Sequence, residues 1–209
     1  TLNLPQGIRK IDDRAFRSAR LNNLSLPTGL AEIGPSAFEG ASMPFTLSLP
    51  DGLVAIGDYA FSNCSLEGEL TFPNSCVRIG EKSFAGSRNY LTKVTLPGLL
   101  EDIGNYAFLW NQQLTYVFLP KYLEHIGSGA FMGCGALQTI VSLNPEPPVL
   151  GNEVFSGVYF DKCILQVPES AIEAYRKADG WRQFQNVTPY RELAVNIAEV
   201  TALDQGMRR

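Results

Sequence analysis

Apolar and polar positions along this chain follow a pattern that repeats about every 23 residues. A typical copy carries Leu-x-Leu-Pro, then an Ile-Gly pair, then Ala-Phe. A fixed period of this length is typical of a stacked solenoid, in which each turn buries its apolar side against its neighbours. A degenerate seventh copy contains Leu150, Gly151 and Phe155. The register of the six regular copies is set by Pro5, Pro27, Pro50, Pro73, Pro97 and Pro120, by Ile11, Ile33, Ile56, Ile79, Ile103 and Ile126, and by Phe16, Phe38, Phe61, Phe84, Phe108 and Phe131.

Two local signals predict the structure of each turn. Residues before the proline alternate between apolar and polar, as in Leu24-Ser25-Leu26 and Leu47-Ser48-Leu49, which predicts a strand that the proline ends. The column ahead of Ala-Phe is rich in residues that cap helices, so we predict a short helical turn there. We expect that turn to end in a left-handed conformation at Gly40, Asn63, Gly86 and Gly133. The capping column consists of Asp13, Pro35, Asp58, Glu81, Asn105, Ser128 and Asn152.

The predicted fold is therefore an α/β repeat solenoid. We expect a right-handed stack of about seven turns of about 23 residues, each with a parallel strand and a short helical turn, followed by a C-terminal helical cap. The solenoid is assigned to residues 1–166, the cap to 167–188 and a tail of undetermined structure, with a candidate strand at 193–197, to 189–209. Ser170-Ala-Ile-Glu173 has the pattern of a capping box. Tyr175, Trp181 and Phe184 are predicted to pack over the last turn.

The repeat resembles a known family. Leu-Pro-Asp51-Gly-Leu-Val-Ala-Ile-Gly-Asp-Tyr-Ala-Phe-Ser-Asn-Cys64 is similar to the BspA-like leucine-rich repeats of bacterial surface proteins, and residues 163–186 are similar to the cap that follows them. The resemblance implies a secreted or surface-anchored protein, often a lipoprotein, with a role in adhesion to host proteins or other cells. It carries over no catalytic residues. Because the chain begins directly on a repeat strand, we expect further sequence ahead of Thr1 in the intact protein.

Composition and motifs argue against an enzyme. The sequence has one histidine, His125, in a variable column where a surface position is the simplest interpretation. A net charge of −4 without a basic patch argues against nucleic acid and anionic membranes as partners. Asp13, Asp58 and Glu81 could form a calcium-binding column, but capping explains them better because other residue types interrupt the column. We predict no catalysis, no metal and no cofactor, and four free buried thiols.

Four aromatic residues depart from the repeat and are the candidate ligand-binding residues. The outward column of the strands reads Asn, Ser, Ser, Thr, Thr and then Phe118, and its neighbouring column ends in Tyr116. Trp110 replaces the glycine or asparagine of its column, and Tyr122 replaces a turn glycine, as Leu99 does one copy earlier. Exposed aromatic residues that cluster are candidate anchors for a protein or a sugar ring. The alternative is that Tyr116 and Phe118 lie under the loop at residues 144–148 or the cap, or pair across strands.

Three functions fit this sequence. The first is a surface protein that mediates adhesion by binding proteins of the host or of neighbouring cells. The second is a glycan-binding surface protein that uses Tyr116, Phe118 or Trp110 as a stacking platform. The third is a passive spacer that projects another domain. An open aromatic cluster favours the first two, whereas a fully covered one favours the spacer.

Overall fold

The computed structural model describes residues 2–86 and 89–191, which form short β-strands and, near the C-terminus, one α-helix. Single turns of 3-10 helix lie at Glu169–Ala171 and Trp181–Gln183. The strands are β1 (Leu2–Asn3), β2 (Lys10–Ile11), β3 (Leu24–Ser25), β4 (Glu32–Ile33), β5 (Ala55–Ile56), β6 (Glu67–Thr71), β7 (Arg78–Ile79), β8 (Tyr90–Thr95), β9 (Asp102–Ile103), β10 (Tyr116–Leu119), β11 (His125–Ile126), β12 (Thr139–Ser142), β13 (Val149–Leu150), β14 (Ile164–Val167) and β15 (Asn186–Pro189), and the helix is α1 (Ile172–Lys177).

The strands ahead of the prolines stack in parallel. They form a six-stranded sheet in the order β15-β14-β12-β10-β8-β6, and β1 and β3 form a separate pair. We call the outward side of the six-stranded sheet the strand face. Its two rows of paired residues are Glu69, Lys93, Tyr116, Thr139, Ile164 and Asn186, and Thr71, Thr95, Phe118, Val141, Gln166 and Thr188. The predicted parallel-strand solenoid is confirmed, with about 8 turns rather than about seven.

The isoleucine column forms a second parallel sheet, which the sequence pattern did not predict. Its strands run in the order β13-β11-β9-β7-β5-β4-β2, and each is two residues long. Two residues are too few to show alternation, so no strand signal was visible there. Five of the six isoleucines are followed by a glycine, which close packing between turns requires, and Ile11 is followed by Asp12. A Cβ on Gly104 would lie 2.6 Å from the carbonyl carbon of Gly80 in the preceding turn.

The predicted helical turn at Ala-Phe is wrong, because the described repeats have consecutive tight turns there. Two residues in each copy, four positions apart, adopt positive φ angles. The second of these two positions is the one predicted to be left-handed, and the positive φ angles confirm that prediction for Gly40, Asn63, Gly86 and Gly133. The first was not anticipated, and it breaks any helix before one turn is complete. Its members are Arg14, Ser36, Tyr59, Lys82, Tyr106, Gly129 and Glu153.

Side chains of the capping column bond to the next turn instead of capping a helix. Asp58 Oδ1 accepts a hydrogen bond from the backbone N–H of Glu81 at 3.0 Å, and Asn105 Oδ1 accepts one from Ser128 at 2.9 Å. Ser128 Oγ accepts the N–H of Asn152 at 3.1 Å. The acceptor chemistry was identified correctly, but its partner is the same position one copy later. These bonds link successive turns at a point outside both sheets.

The predicted strand at Leu47-Ser48-Leu49 does not pair. Within the described part of the chain, no backbone hydrogen bond joins residues 46–49 to either neighbouring strand. Pro44 lies two residues ahead of this segment and supplies no N–H to a ladder. Leu47 and Leu49 nevertheless point into the core, where both are buried. The result is an interruption between β3 and β6, which separates the two-stranded pair from the six-stranded sheet.

A ladder of phenylalanine rings runs through the core. The six successive pairs from Phe16 to Phe155 stack with ring centroids 5.1 to 5.8 Å apart and interplanar angles of 4° to 16°. Stacked rings of this kind bury large apolar area and add a specific pair interaction. Each turn contributes one rung, so the core continues along the whole stack. The ladder comprises Phe16, Phe38, Phe61, Phe84, Phe108, Phe131 and Phe155.

The cap closes this ladder as predicted. The rings of Trp181 and Phe184 each lie 5.3 Å from that of Phe155, and Tyr175 packs edge-on against Trp181. The Tyr175 hydroxyl lies 2.7 Å from Ser142 Oγ and donates to the carbonyl of Asn144 at 3.0 Å. The predicted capping box is wrong. A 3-10 turn occupies Glu169–Ala171 and no side chain caps α1, whose N-cap residue is Ala171.

The C-terminal boundary falls on a strand. The predicted division between residues 188 and 189 lies inside β15 (Asn186–Pro189), which pairs with β14. The candidate strand at 193–197 lies outside the described residues. No helix in the part of the chain that the structure describes is long and apolar enough to cross a membrane.

Candidate functional site

The structure brings Tyr116 and Phe118 together on the strand face. Both lie on β10, whose alternate residues Val117 and Leu119 are buried in the core, so the two aromatic side chains point outward. Each is half-buried. The Phe118 ring packs edge-on against Tyr190, with centroids 6.5 Å apart. The cluster is therefore neither fully open nor fully covered, and its role in binding stays a prediction.

Tyr190 is a member of this cluster that sequence reasoning missed. Burial raises the pKa of the Tyr116 hydroxyl, and the nearby Tyr190 adds to that effect. Val141, next to Phe118 in the same row, is fully buried although it does not belong to the main core cluster. Tyr190 follows the last strand in a segment without repeat register, so no column departure could single it out.

The strand face contains a groove of about 650 Å³ that reaches from the unpaired residues 46–49, in the third turn of the stack, to Phe118. Its floor includes Thr71 and Thr95, which stand in the same row as Phe118. Beside the groove, Lys93 forms an ion pair with Glu69 at 3.3 Å and lies 5.6 Å from the ring centre of Tyr116. The groove thus combines small hydroxyl side chains with the unpaired segment 46–49 at one end and the ring of Phe118 at the other.

Tyr122 lies elsewhere. Its side chain is 53% exposed in the turn between β10 and β11, and Lys121 Nζ sits 5.5 Å from its ring centre. It lines a separate depression with His125 and Pro148, which shares no residue with the groove. His125 is exposed, as predicted, and its Nδ1 lies 3.0 Å from Asp102 Oδ1 in the preceding turn.

Trp110 occupies a third place, and its backbone is unusual. Its φ angle is +62° in a column whose other members are mostly glycine, and its side chain is 47% exposed. A left-handed conformation costs a residue with a side chain roughly 1–2 kcal/mol. The indole atoms Cγ and Cδ2 lie 3.5 Å from where a Cβ on Gly133 would stand, so the ring rests over that glycine. The column consists of Ser18, Gly40, Asn63, Gly86, Trp110, Gly133 and Gly157.

Trp110 also lines a cleft of about 320 Å³ whose other functional groups were missed. Tyr59 and Lys82 belong to the first positive-φ column, and Lys82 Nζ donates to the Tyr59 hydroxyl at 3.2 Å. The same Nζ lies 5.3 Å from the ring centres of Tyr59 and Tyr106. The hydrogen bond with Tyr59 raises the pKa of Lys82. This column varies freely in sequence, so no departure from a consensus marked these residues.

All four cysteines are free and buried, as predicted. Burial raises the pKa of Cys64, Cys134 and Cys163 to about 12 and that of Cys76 to about 11. Cys64 Sγ donates to the carbonyl of Phe38 at 2.9 Å, which satisfies a buried backbone acceptor. Among the residues described, no group of three or more His, Cys, Asp and Glu side chains is placed to hold a metal ion.

The chain matches the family model of the BspA type leucine rich repeat region, in six copies, over residues 1–45 and 45–161. It is similar to a solved leucine-rich repeat protein of T. pallidum, with 31% identity and a TM-score of 0.68 over 84% of this chain and 81% of that one. No significant match is found among curated proteins.

Two more distant structures share the fold. One is a leucine-rich repeat protein of Bacteroides ovatus, with 21% identity, a TM-score of 0.54 and 90% of this chain aligned. The other is a leucine rich cell surface protein of Faecalibacterium prausnitzii, with 18% identity, a TM-score of 0.50 and 90% of this chain aligned. This chain spans 60% and 53% of those two proteins.

Proposed function

Because this chain belongs to the BspA-type leucine-rich repeat family of bacterial proteins, we propose that it is a non-enzymatic surface protein that binds an extracellular protein through its strand face. Leucine-rich repeat families are generally non-catalytic scaffolds for protein interaction. One structural neighbour is itself named as a cell surface protein, which supports a surface location for this chain too. Adhesion to host or neighbouring cells is the role we assign to this binding.

The observation that carries the proposal is the groove on the strand face. It has hydroxyl side chains along its floor and the ring of Phe118 at its end. Protein interfaces are typically anchored by a few partly buried aromatic residues surrounded by polar contacts. The unpaired segment at residues 46–49 adds backbone groups without a ladder partner, which suit an extended segment of a protein ligand.

Binding of the purified chain to a panel of extracellular-matrix and bacterial surface proteins tests this function. Two variants address the groove: Tyr116→Thr/Phe118→Thr removes the aromatic end, and Thr71→Arg places a long charged side chain on its exposed floor. Val77→Thr is the matched control, because Val77 is 53% exposed and borders neither the groove nor the clefts described above. Binding is compared only for variants that keep the melting temperature of the wild type.

We expect a protein ligand to be lost in both groove variants and kept by Val77→Thr. Ligands that bind all three variants equally would place the interaction elsewhere and contradict the proposal. A blank panel would favour the alternative in which the stack is a passive spacer. The glycan alternative is favoured by a different feature, the cleft at Trp110.

A further inference from the structure

The backbone of Trp110 adopts a conformation that suits glycine better than tryptophan. Glycine is the residue that adopts positive φ without a steric cost, and the same position is glycine one turn before and one turn after, at Gly86 and Gly133. Trp110 remains 47% exposed, so nearly half of the surface of this large residue stays in water. A strained residue that leaves this much aromatic surface exposed is a reason to look for a function.

The indole is nevertheless held in place. It rests over Gly133, where a Cβ would stand in van der Waals contact with its Cγ and Cδ2 atoms at 3.5 Å. Toward the preceding turns, Trp110 borders the cleft together with Asn63 and Gly86. An aromatic ring supported on one side and bordering a cleft on the other is a stacking platform.

Polar groups of fixed position surround this platform. Lys82 is anchored by its hydrogen bond to the Tyr59 hydroxyl and by its ion pair with Glu81 at 3.6 Å. Glu39 lines the cleft and is paired with Arg17 at 3.2 Å. The Asn63 amide supplies both a donor and an acceptor at the same edge. The cleft therefore offers an ammonium one turn before the indole, an amide two turns before it and a carboxylate three turns before it.

We propose that the Trp110 cleft binds a pyranose unit of an extracellular glycan. One face of a pyranose ring presents C–H groups that suit an aromatic platform, and its hydroxyls suit Lys82 in the adjacent turn. Asn63 and Glu39, two and three turns from the indole, suit the next unit of the same glycan. A volume of about 320 Å³ matches the small end of ligand sites, which is too small for the footprint of a protein. The carboxylate of Glu81 beside Lys82, and that of Glu39 in the same cleft, disfavour phosphate and other strong anions. This cleft shares no residue with the strand-face groove, so either site can fail without the other.

A glycan array probed with the whole chain tests the proposal. Trp110→Gly restores the residue type of the column, so we expect it to keep or raise the melting temperature while weakening glycan binding by about tenfold or more. Asn63→Ala removes one hydrogen-bonding side chain and serves as a second probe of the cleft. Tyr159→Thr is the control, because it removes an exposed aromatic ring that lies outside the cleft and is not a candidate ligand-binding residue.

The two tryptophans of the sequence provide an internal reference by NMR. Trp181 is fully buried and its indole N–H donates to the carbonyl of Pro148 at 2.8 Å. Titration with glucose, galactose, mannose and N-acetylglucosamine, or with the glycan that binds on the array, is expected to shift the Trp110 indole signal and leave that of Trp181 unchanged. A blank array, equal binding by Trp110→Gly, or an unshifted Trp110 signal would each overturn the proposal.

Discussion

Gly104→Ala tests the packing between turns most directly. Gly104 follows the isoleucine of turn five, and a Cβ there would stand 2.6 Å from the carbonyl carbon and 2.7 Å from the carbonyl oxygen of Gly80. Both atoms are backbone, so no side chain can rotate away. The φ angle of Gly104 is not in the left-handed region, and the test therefore isolates close approach from backbone strain.

The size of the effect follows from these distances. Ordinary van der Waals contact begins near 3.4 Å, so the two turns must separate by about 3.4 − 2.6 = 0.8 Å. The hydrogen bond from the N–H of Gly104 to the carbonyl of Ile79 is 3.1 Å long and would stretch to about 3.9 Å, beyond bonding range. Overpacking of about 1–3 kcal/mol and one lost hydrogen bond of about 1 kcal/mol give a loss of about 2–4 kcal/mol in the free energy of unfolding.

Urea unfolding followed by circular dichroism measures this loss, with Gly7→Ala as the matched control. A Cβ on Gly7 meets no heavy atom within 4 Å, so we expect that variant to stay within about 0.5 kcal/mol of the wild type. A Gly104→Ala protein as stable as Gly7→Ala would refute the inference that the Ile-Gly column sets the distance between turns.

Three further predictions concern the core, the cap and the thiols. Phe84→Ala should lower the free energy of unfolding in urea by about 3–5 kcal/mol, because its ring stacks between two rings of the ladder and meets a third ring edge-on. Phe16→Ala, at the half-buried end of the ladder, should lower it clearly less. Equal losses would contradict a continuous ladder. Tyr175→Phe should lower stability by about 1–3 kcal/mol, since it leaves Ser142 Oγ and the Asn144 carbonyl without their partner, and an unchanged melting temperature would show that the hydroxyl is not required. The four thiols should resist a disulfide reagent at pH 8 in the native protein and react fully in guanidinium. Their folded pKa values lie above the unfolded value of 9.0, so their contribution to stability is present below pH 9 and is lost as the pH rises above it; rapid native labelling would contradict their burial.

The parts of the fold that repetition defines were predictable. Phe61 and Phe84 lie in step with Ile56 and Ile79 because each turn must present the same apolar positions to its neighbours. The tight turns were not predictable from one copy. An Asp or Asn ahead of Ala-Phe is the usual signal of a helix start, and only the stacked structure shows that Asp58 accepts the N–H of Glu81 in the following turn.

The candidate site was predictable only where it breaks a column. Phe118 and Trp110 interrupt columns of small residues, so both were visible in the sequence. Lys82 and Tyr59 stand in a column that tolerates any residue type, and only the positive φ angles of that column bring them beside Trp110. Tyr190 lies beyond the repeats, where register gives no information about the residue it will contact.

The interruption at turn three has a consequence for a chain under tension. Residues 46–49 make no backbone hydrogen bonds to the neighbouring strands. This turn is therefore held in line by β4, β5 and β7, by the Phe38–Phe61 stack and by backbone bonds of the tight turns, such as the one from the N–H of Phe38 to the carbonyl of Ala60 at 2.8 Å. A force applied along the stack would first open the seam beside this segment. Each turn that then peels away releases 22 to 24 residues, or about 80 Å of extended chain. A protein that tethers two surfaces would thus lengthen in steps from its N-terminal end, while the aromatic half of the strand face stays folded.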